Sequence, residues 1–150
     1  MNKYQNTISK SVEFSGIGLH SGEKSKVILI PASVDTGIIF KVNNSSIQAS
    51  WSNAIISQLC TKIKNKNISI STIEHLMAAI SGLGISNLII KINSNEVPIL
   101  DGSSKEFVDQ IKIAGISKQK IFQKVIKILN KVEYKDEEKY IYISPSKNKN

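Results

Sequence analysis

Residues 71–92 read STIEHLMAAISGLGISNLIIKI, and this stretch decides the fold class of the chain. The first part predicts a helix from Ser71, because Ser71 and Glu74 have the S-x-x-E spacing of a capping box. Apolar residues then recur at helical spacing, at Ile73, Leu76, Met77 and Ile80. Glycines end the helix, and a run of apolar residues from Asn87 to Ile92 predicts a buried strand.

Predicted strands precede this stretch, and a second helix and two further strands follow it. The earlier segments are strands at Thr7 to Phe14, Lys26 to Pro31 and Gly37 to Val42, a turn at Asn43 to Ser46, a short strand or irregular edge at Ile47 to Ile56, and a solvated loop at Lys62 to Asn67. The later segments are a turn at Pro98 to Ser103, a helix at Ser104 to Ala114, and strands at Phe122 to Glu133 and Lys139 to Ser144 around a charged turn at Tyr134 to Glu138. This order predicts an α+β fold, a two-layer sandwich of a mostly antiparallel sheet packed against two helices.

The composition fits one globular domain and argues against a nucleic-acid partner. The chain has 150 residues, 41% of them hydrophobic, and a formal net charge of +8. All 20 basic residues are lysines, whereas nucleic-acid readers rely on arginine and on interleaved aromatic residues, which here make up only 6%. The charge is therefore interpreted first as a bias toward Lys, Asn and Ile, and only second as a binding surface.

The single cysteine, Cys60, excludes a disulfide within the chain and fits a reducing compartment. The first residues lack the apolar core of a signal peptide, and no apolar run is long enough to span a bilayer. These observations predict a cytoplasmic protein with no stable membrane insertion.

Glu74 and His75 are the best candidates for chemistry, because an adjacent imidazole and carboxylate can bind a cation and activate water on it. A structural interpretation competes, since the third position of a capping box favours Glu for helix stability alone. His75 begins a helical stripe of otherwise small residues, which suggests that another backbone or a ligand comes close. That stripe is His75, Ala78, Ala79 and Gly82, opposite the larger apolar residues.

Known metal and nucleotide motifs fit only in part. The helix resembles H-x-x-E-H, but Ser71 stands where the first histidine belongs. Catalytic zinc needs three protein ligands, and a set of His20, Cys60 and His75 is conceivable. The glycine-rich stretch from Gly16 to Gly22 does not match a dinucleotide fingerprint and is interpreted as a turn.

Four stretches together resemble one family, the UDP-3-O-acyl-N-acetylglucosamine deacetylases of lipid A biosynthesis. They are GIGLHSG at residues 16–22, Pro31-Ala32 followed by Thr36-Gly37-Ile38, STIEHL with Ala78-Ala79 from residue 71, and EVPILDGS at residues 96–103. Each is weak alone, and their order and spacing make the resemblance specific.

The resemblance implies a zinc-dependent hydrolase that removes the N-acetyl group from UDP-3-O-acyl-N-acetylglucosamine. By that resemblance Glu74 is the general base acting on zinc-bound water, and His75 is one of three zinc ligands. Residues expected close to the substrate are His20, near the catalytic mouth, and Leu19, Leu59, Cys60 and Thr61, toward the passage for the acyl chain.

The resemblance also implies a second, similar domain that supplies the other two zinc ligands. Nothing in residues 121–150 matches the expected ligand motif. We therefore expect residues 1–120 to form the first domain and residues 121–150 to be the start of a truncated second domain. Such a chain needs its missing half, in cis or in trans, and is predicted to be inactive alone. The alternatives are self-association and a non-catalytic relic or module that binds UDP-sugar or anionic partners.

Overall fold

Twelve strands and two helices are found in the computed structural model, which describes residues 4–146. The strands are β1 (Tyr4–Ile8), β2 (Val12–Ile17), β3 (Lys24–Pro31), β4 (Ile38–Val42), β5 (Ser45–Gln48), β6 (Ala54–Ile55), β7 (Lys62–Lys64), β8 (Ser69–Ile70), β9 (Leu88–Ile92), β10 (Ile116–Phe122), β11 (Val132–Asp136) and β12 (Lys139–Ile143). The helices are α1 (Glu74–Gly82) and α2 (Lys105–Ala114), and a short 3-10 turn lies at Trp51–Asn53.

The main sheet has five strands in the order β2-β3-β9-β4-β5. All its neighbouring strands are antiparallel except β4 and β9, which are parallel. The central strand β9 buries Leu88, Ile90 and Ile92, whereas Ile89 and Lys91 are more exposed. This alternation arises because successive side chains of a strand point to opposite faces of the sheet.

The hydrophobic core joins the sheet to the two helices. Helix α1 contributes Leu76 and Ile80, and α2 contributes Phe107 and Ile111. The ring of Phe107 lies 4.9 Å from that of Phe14 in β2, measured between centroids. The chain therefore has the predicted α+β fold, with two helices and mostly antiparallel sheets.

Smaller sheets complete the fold and correct several predicted elements. Strands β6, β7 and β8 form a three-stranded sheet, so part of the predicted loop at Lys62 to Asn67 is a strand. The predicted strand from Thr7 to Phe14 is two strands, β1 and β2, interrupted at residues 9–11. Strand β1 pairs antiparallel with β10, a strand that the local sequence pattern did not reveal.

The segment after β10 also differs from the prediction. A strand from Phe122 to Glu133 is wrong, because β10 ends at Phe122 and residues 123–131 have no regular structure. Strand β11 begins at Val132 and pairs with β12 across a turn at Glu137 and Glu138. Every residue of β11 and β12 is exposed. Within the described residues, no helix is long and apolar enough to cross a membrane.

Candidate functional site

Helix α1 begins at Glu74, so Glu74 and His75 form its first turn. The residue before the helix, Ile73, makes no side-chain capping bond. Ser71 instead forms a β-bridge with residues 95–97. Its N–H donates to the carbonyl of Asn95 at 3.0 Å, and its carbonyl accepts from Val97 N–H at 3.1 Å. The predicted capping box at Ser71 is therefore wrong, and the carboxylate of Glu74 is not used to cap the helix.

Thr72 lies in the left-handed backbone region, with a φ of 56°. A β-branched residue rarely adopts this conformation, because its side chain crowds the backbone. Thr72 is buried, and its hydroxyl donates to Glu96 Oε1 at 2.8 Å. This strained residue turns the chain between the Ser71 pairing and the start of α1.

The carboxylate of Glu74 contacts the segment that carries Cys60 and Thr61. Glu74 Oε2 accepts from the backbone N–H of Thr61 at 2.9 Å. The N–H of Ile73 donates to the Thr61 carbonyl at 3.4 Å, so the two segments are joined in both directions. Glu74 is half-buried, and its second oxygen has no hydrogen bond among the described residues.

His75 is half-buried and lies beside an open part of the helix surface. Ala78 and Gly82 on its stripe are exposed, whereas their small size predicted a close neighbour. Ala79 is 1% exposed and belongs to the core, so it does not share the exposure of the other small residues of the stripe. A Cβ atom added to Gly82 would meet no atom of the described chain within 4 Å, so the close neighbour suggested by the small residues is not in this part of the chain.

Glu96, the first residue of the EVPILDGS motif, is the buried carboxylate of the site. It is 3% exposed, and its Oε1 and Oε2 accept from the N–H groups of His20 and Ser21 at 3.0 and 2.8 Å. Burial raises the pKa of Glu96, but the hydrogen bonds of Ser21, His20 and Thr72 lower it more, to about 2 from an ordinary value of 4.5. Glu96 is therefore ionised under physiological conditions.

The residues predicted to lie near a substrate occupy two segments. Leu19 and His20 lie in the exposed loop before β3, and Leu59, Cys60 and Thr61 lie between β6 and β7, where Thr61 N–H binds Glu74. Leu19 is 59% exposed and Leu59 is 90% exposed. Leu59 also has a left-handed φ of 60°. The thiol of Cys60 lies 3.3 Å from the hydroxyl of Ser57. Large exposed apolar side chains are costly in water, which makes these loops candidates for contact with an apolar group.

These hydrogen bonds bring together segments that are distant in sequence. Glu96 joins the loop of His20 to Thr72, and Thr61 joins its own loop to Glu74. The described residues contain no group of three His, Cys, Asp or Glu side chains placed to hold a metal ion. The conceivable zinc set of His20, Cys60 and His75 is therefore not assembled.

Sequence reasoning missed the roles of Glu96 and Thr72. The local sequence gives no signal that Glu96 is buried, because glutamate is among the residue types least often fully buried. Its partners are separated from it by 24 to 76 positions, and no local pattern identifies them.

Comparison with known proteins places this site in a family context. A family model described as LpxC, UDP-3-O-acyl N-acetylglycosamine deacetylase, matches residues 5–150. A protein named UDP-3-O-acyl-N-acetylglucosamine deacetylase from Campylobacter fetus subsp. fetus is 44% identical over 146 residues, which are 96% of this chain and 50% of that protein. Proteins of the same name from Thioalkalivibrio sulfidiphilus and Lawsonia intracellularis are 41% and 43% identical, each over 94% of this chain and 48% of the relative. The chain spans about half the length of the curated relatives it matches.

Proposed function

Because the chain belongs to the UDP-3-O-acyl-N-acetylglucosamine deacetylase family, we propose that it is one half of a zinc-dependent hydrolase of lipid A biosynthesis. The proposed reaction removes the N-acetyl group of UDP-3-O-acyl-N-acetylglucosamine as acetate. The observation that carries the proposal is the Glu74-His75 pair in the first turn of α1, half-buried and released from any capping role. A zinc-dependent hydrolase needs both a general base and metal ligands at the reacting amide, and this pair offers one of each.

Glu74 is the proposed general base. One carboxylate oxygen is held by Thr61 N–H at 2.9 Å, which fixes the orientation of the side chain. The other oxygen is available to accept a proton from the attacking water and to return it to the leaving amine. A general base must be held at hydrogen-bond distance from the proton it removes, and the Thr61 bond supplies that positioning.

His75 is the proposed zinc ligand contributed by this half. An imidazole next to a carboxylate in the first turn of a helix suits the donor chemistry of zinc, but one imidazole is only part of the three-ligand set of a catalytic site. Bound zinc would act as a Lewis acid on the amide carbonyl and would lower the pKa of water. The other two ligands are proposed to come from the half that this chain lacks.

The exposed loops are proposed to contact the substrate. Leu19, Leu59, Cys60 and Thr61 are placed toward the acyl chain, and His20 near the reacting group. The high exposure of Leu19 and Leu59 supports this assignment, since an apolar chain would shield both from water. The cytoplasmic location expected from the sequence stays a prediction.

The division of the chain into a first domain at residues 1–120 and the beginning of a second at residues 121–150 is likewise proposed. It is supported by the complete exposure of β11 and β12, since a two-stranded ribbon is marginal without a partner. The missing half is the partner that we propose, whether joined in cis or supplied in trans, and the chain alone is then inactive.

The test combines zinc binding with complementation. We would titrate Zn²⁺ into the chain and into His75→Ala by calorimetry, with and without the part of the Campylobacter fetus relative that this chain does not cover. Acetate release from UDP-3-O-acyl-N-acetylglucosamine would be measured in the same mixtures. We expect acetate release only in the mixture. In the mixture we also expect tight zinc binding that His75→Ala removes. Glu74→Gln should lower the rate of acetate release by about 100-fold to 10,000-fold.

Glu106→Gln is the matched control, because Glu106 is an exposed glutamate in the first turn of the other helix. This variant is expected to keep the activity of the mixture. Deacetylation by the purified chain alone would contradict the proposal that it is a half. A mixture that binds no zinc and releases no acetate would contradict the proposed function and would favour a binding module.

A further inference from the structure

Glu96 lies where the loop of residues 18–22, the His20 loop, meets the turn that leads into α1. We propose that Glu96 is a positioning residue that holds the His20 loop and the Thr72 turn in register, so that His20 and the Glu74-His75 pair belong to one site. It touches none of the groups proposed to react. Its effect passes through the backbone of the loop and the side chain of Thr72.

A single carboxylate oxygen connects the two segments. Glu96 Oε1 accepts from His20 N–H at 3.0 Å and from the Thr72 hydroxyl at 2.8 Å. Its other oxygen, Oε2, accepts from Ser21 N–H at 2.8 Å. One side chain therefore links segments about fifty residues apart. The link is strong, because hydrogen bonds to an ionised acceptor are stronger than neutral ones.

The position of Glu96 is itself fixed. Its carbonyl accepts from the hydroxyl of Ser25 at 2.6 Å, and Ser25 is a buried residue near the start of β3, where it pairs with Gly16 of β2. Gly18 packs so closely that an added Cβ would lie 2.4 Å from Glu96 Oε2. Glu96 is thus held by β3 and by close packing against Gly18, and from this position it binds both loops.

The Thr72 bond has a direct consequence for the catalytic pair. Thr72 adopts its left-handed φ of 56° two residues before Glu74 and three before His75. A strained backbone conformation persists only where neighbouring contacts hold it. The backbone of Ser71 is held by Asn95 and Val97, and the Thr72 side chain adds its hydrogen bond to Glu96. Loss of this bond would let residue 72 relax and would rotate the first turn of α1.

The test uses the fact that the chain has only two histidines, so an imidazole spectrum of histidine-labelled protein contains one set of signals for each. We would compare wild type with Glu96→Gln, and with Glu23→Gln as an exposed control at the end of the same loop region. Amide exchange at His20 and Ser21 would be followed in the same samples. In Glu96→Gln we expect these two amides to exchange about tenfold faster or more, because an ionised acceptor is lost.

Replacing a glutamate that only stabilises the fold would leave the imidazole signals of His20 and His75 unchanged. We expect both imidazole signals to shift in Glu96→Gln, while the core amides of Leu29 and Ile90 keep their protection and Glu23→Gln behaves as wild type. Unchanged protection at His20 with unchanged imidazole signals in Glu96→Gln would overturn the proposal.

Two variants of Thr72 keep the proposal testable if Glu96→Gln does not fold. Thr72→Val removes the hydroxyl and should shift the His75 signal while Ser21 stays protected, since Ser21 binds the other oxygen. Thr72→Ser restores the hydroxyl and should restore the His75 signal. A Thr72→Val variant with the wild-type His75 signal would overturn the proposal.

The consequence for activity rests on the proposed function and is measured separately. In the mixture with the missing half, Glu96→Gln should lower kcat about tenfold or more and change KM less than about twofold, because positioning acts on the reacting groups. A wild-type mixture without activity counts against the proposed function alone. The exchange and imidazole data then still decide whether Glu96 is a positioning residue.

Discussion

At the scale of single residues, the site depends on a buried charge that is fully hydrogen-bonded. Glu96 is 3% exposed, which is unusual for a carboxylate. Such a charge is stable only where several donors replace water, and the donors here come from the His20 loop and Thr72. Its ionisation is therefore coupled to folding.

The stability of the chain should consequently depend on the pKa of Glu96. Its folded-state pKa, about 2, is lower than the ordinary value of 4.5, so its contribution is full above the ordinary value and is lost as the pH falls toward 2. Between pH 6 and pH 3, we expect the difference in unfolding free energy between wild type and Glu96→Gln to shrink by about 2 kcal/mol. Urea denaturation of both proteins at the two pH values measures this difference. A constant difference would show that Glu96 has no lowered pKa.

Gly18 should tolerate no side chain. An added Cβ would lie 2.4 Å from both Glu96 Oε2 and the Ser21 hydroxyl oxygen, and Glu96 cannot move without losing its donors. We expect Gly18→Ala to lower the unfolding free energy by about 1 to 3 kcal/mol, as overpacking does. Urea denaturation is the measurement.

The control for Gly18→Ala is Gly82→Ala, at the end of α1. A Cβ at Gly82 meets nothing within 4 Å, and its backbone is helical. Alanine is the better helix former, so this variant should be equal to wild type or more stable by about 0.5 kcal/mol. Equal destabilisation by both substitutions would contradict the close packing inferred at Gly18.

At the scale of elements, a network of amide side chains attaches the β1-β10 pair to the main sheet. Asn87, which is 1% exposed, donates to Gln5 Oε1 and Gln119 Oε1, both at 2.7 Å. Its own Oδ1 accepts from Gly37 N–H at 2.8 Å. One side chain at the start of β9 therefore contacts β1, β10 and the turn before β4.

Removal of this side chain should be costly. Asn87→Ala leaves Gln119 Oε1 and the N–H of Gly37, both half-buried, without this partner, whereas Gln5 Oε1 keeps its bond from Asp35 N–H at 2.9 Å. We expect a loss of about 1 to 3 kcal/mol in unfolding free energy, because polar groups left unpaired bear a desolvation cost. Denaturation by urea tests the magnitude, and exchange of β10 amides tests the location. Asn44→Ala, at an exposed turn, is the control and should change little. A loss below about 0.5 kcal/mol in Asn87→Ala would contradict the role of the network.

At the scale of the whole molecule, the core is complete without the last hairpin. Within residues 4–146, the buried apolar side chains come from residues 8–111, whereas β11 and β12 are entirely exposed. Just after β10, Gln123 donates a hydrogen bond to the Ser86 hydroxyl at 2.8 Å, and Lys124 forms an ion pair with Asp35 at 3.6 Å. The core of the described residues is therefore formed without a contribution from the last hairpin.

A shortened chain that ends at Val125 should keep the stability of the full chain. We expect its unfolding free energy to agree with that of the 150-residue chain within about 1 kcal/mol, because exposed residues contribute little packing. Urea denaturation compares the two, and exchange protection of β9 shows that the core is the same. A loss of several kcal/mol would mean that the hairpin packs on the first domain in solution.

The sequence alone was sufficient for the fold class, for the family resemblance and for the candidate pair Glu74-His75. The hydrophobic period of residues 71–92 indicates a helix and a strand locally, so both were predicted within a few residues of their observed bounds. Motifs whose residues are adjacent in the chain are visible in the same way.

Only the tertiary structure decided the start of α1, the pairing of β10 and the hydrogen-bond partners of Glu96. Ser71 has the sequence of a cap but pairs with Asn95 and Val97, and β10 exists as a strand because Tyr4–Ile8 lies beside it. Glu96 finds its donors up to 76 positions away. The physical reason is common to all three: backbone and buried polar groups must be hydrogen-bonded, and the topology of the folded chain, not the local pattern, selects their partners.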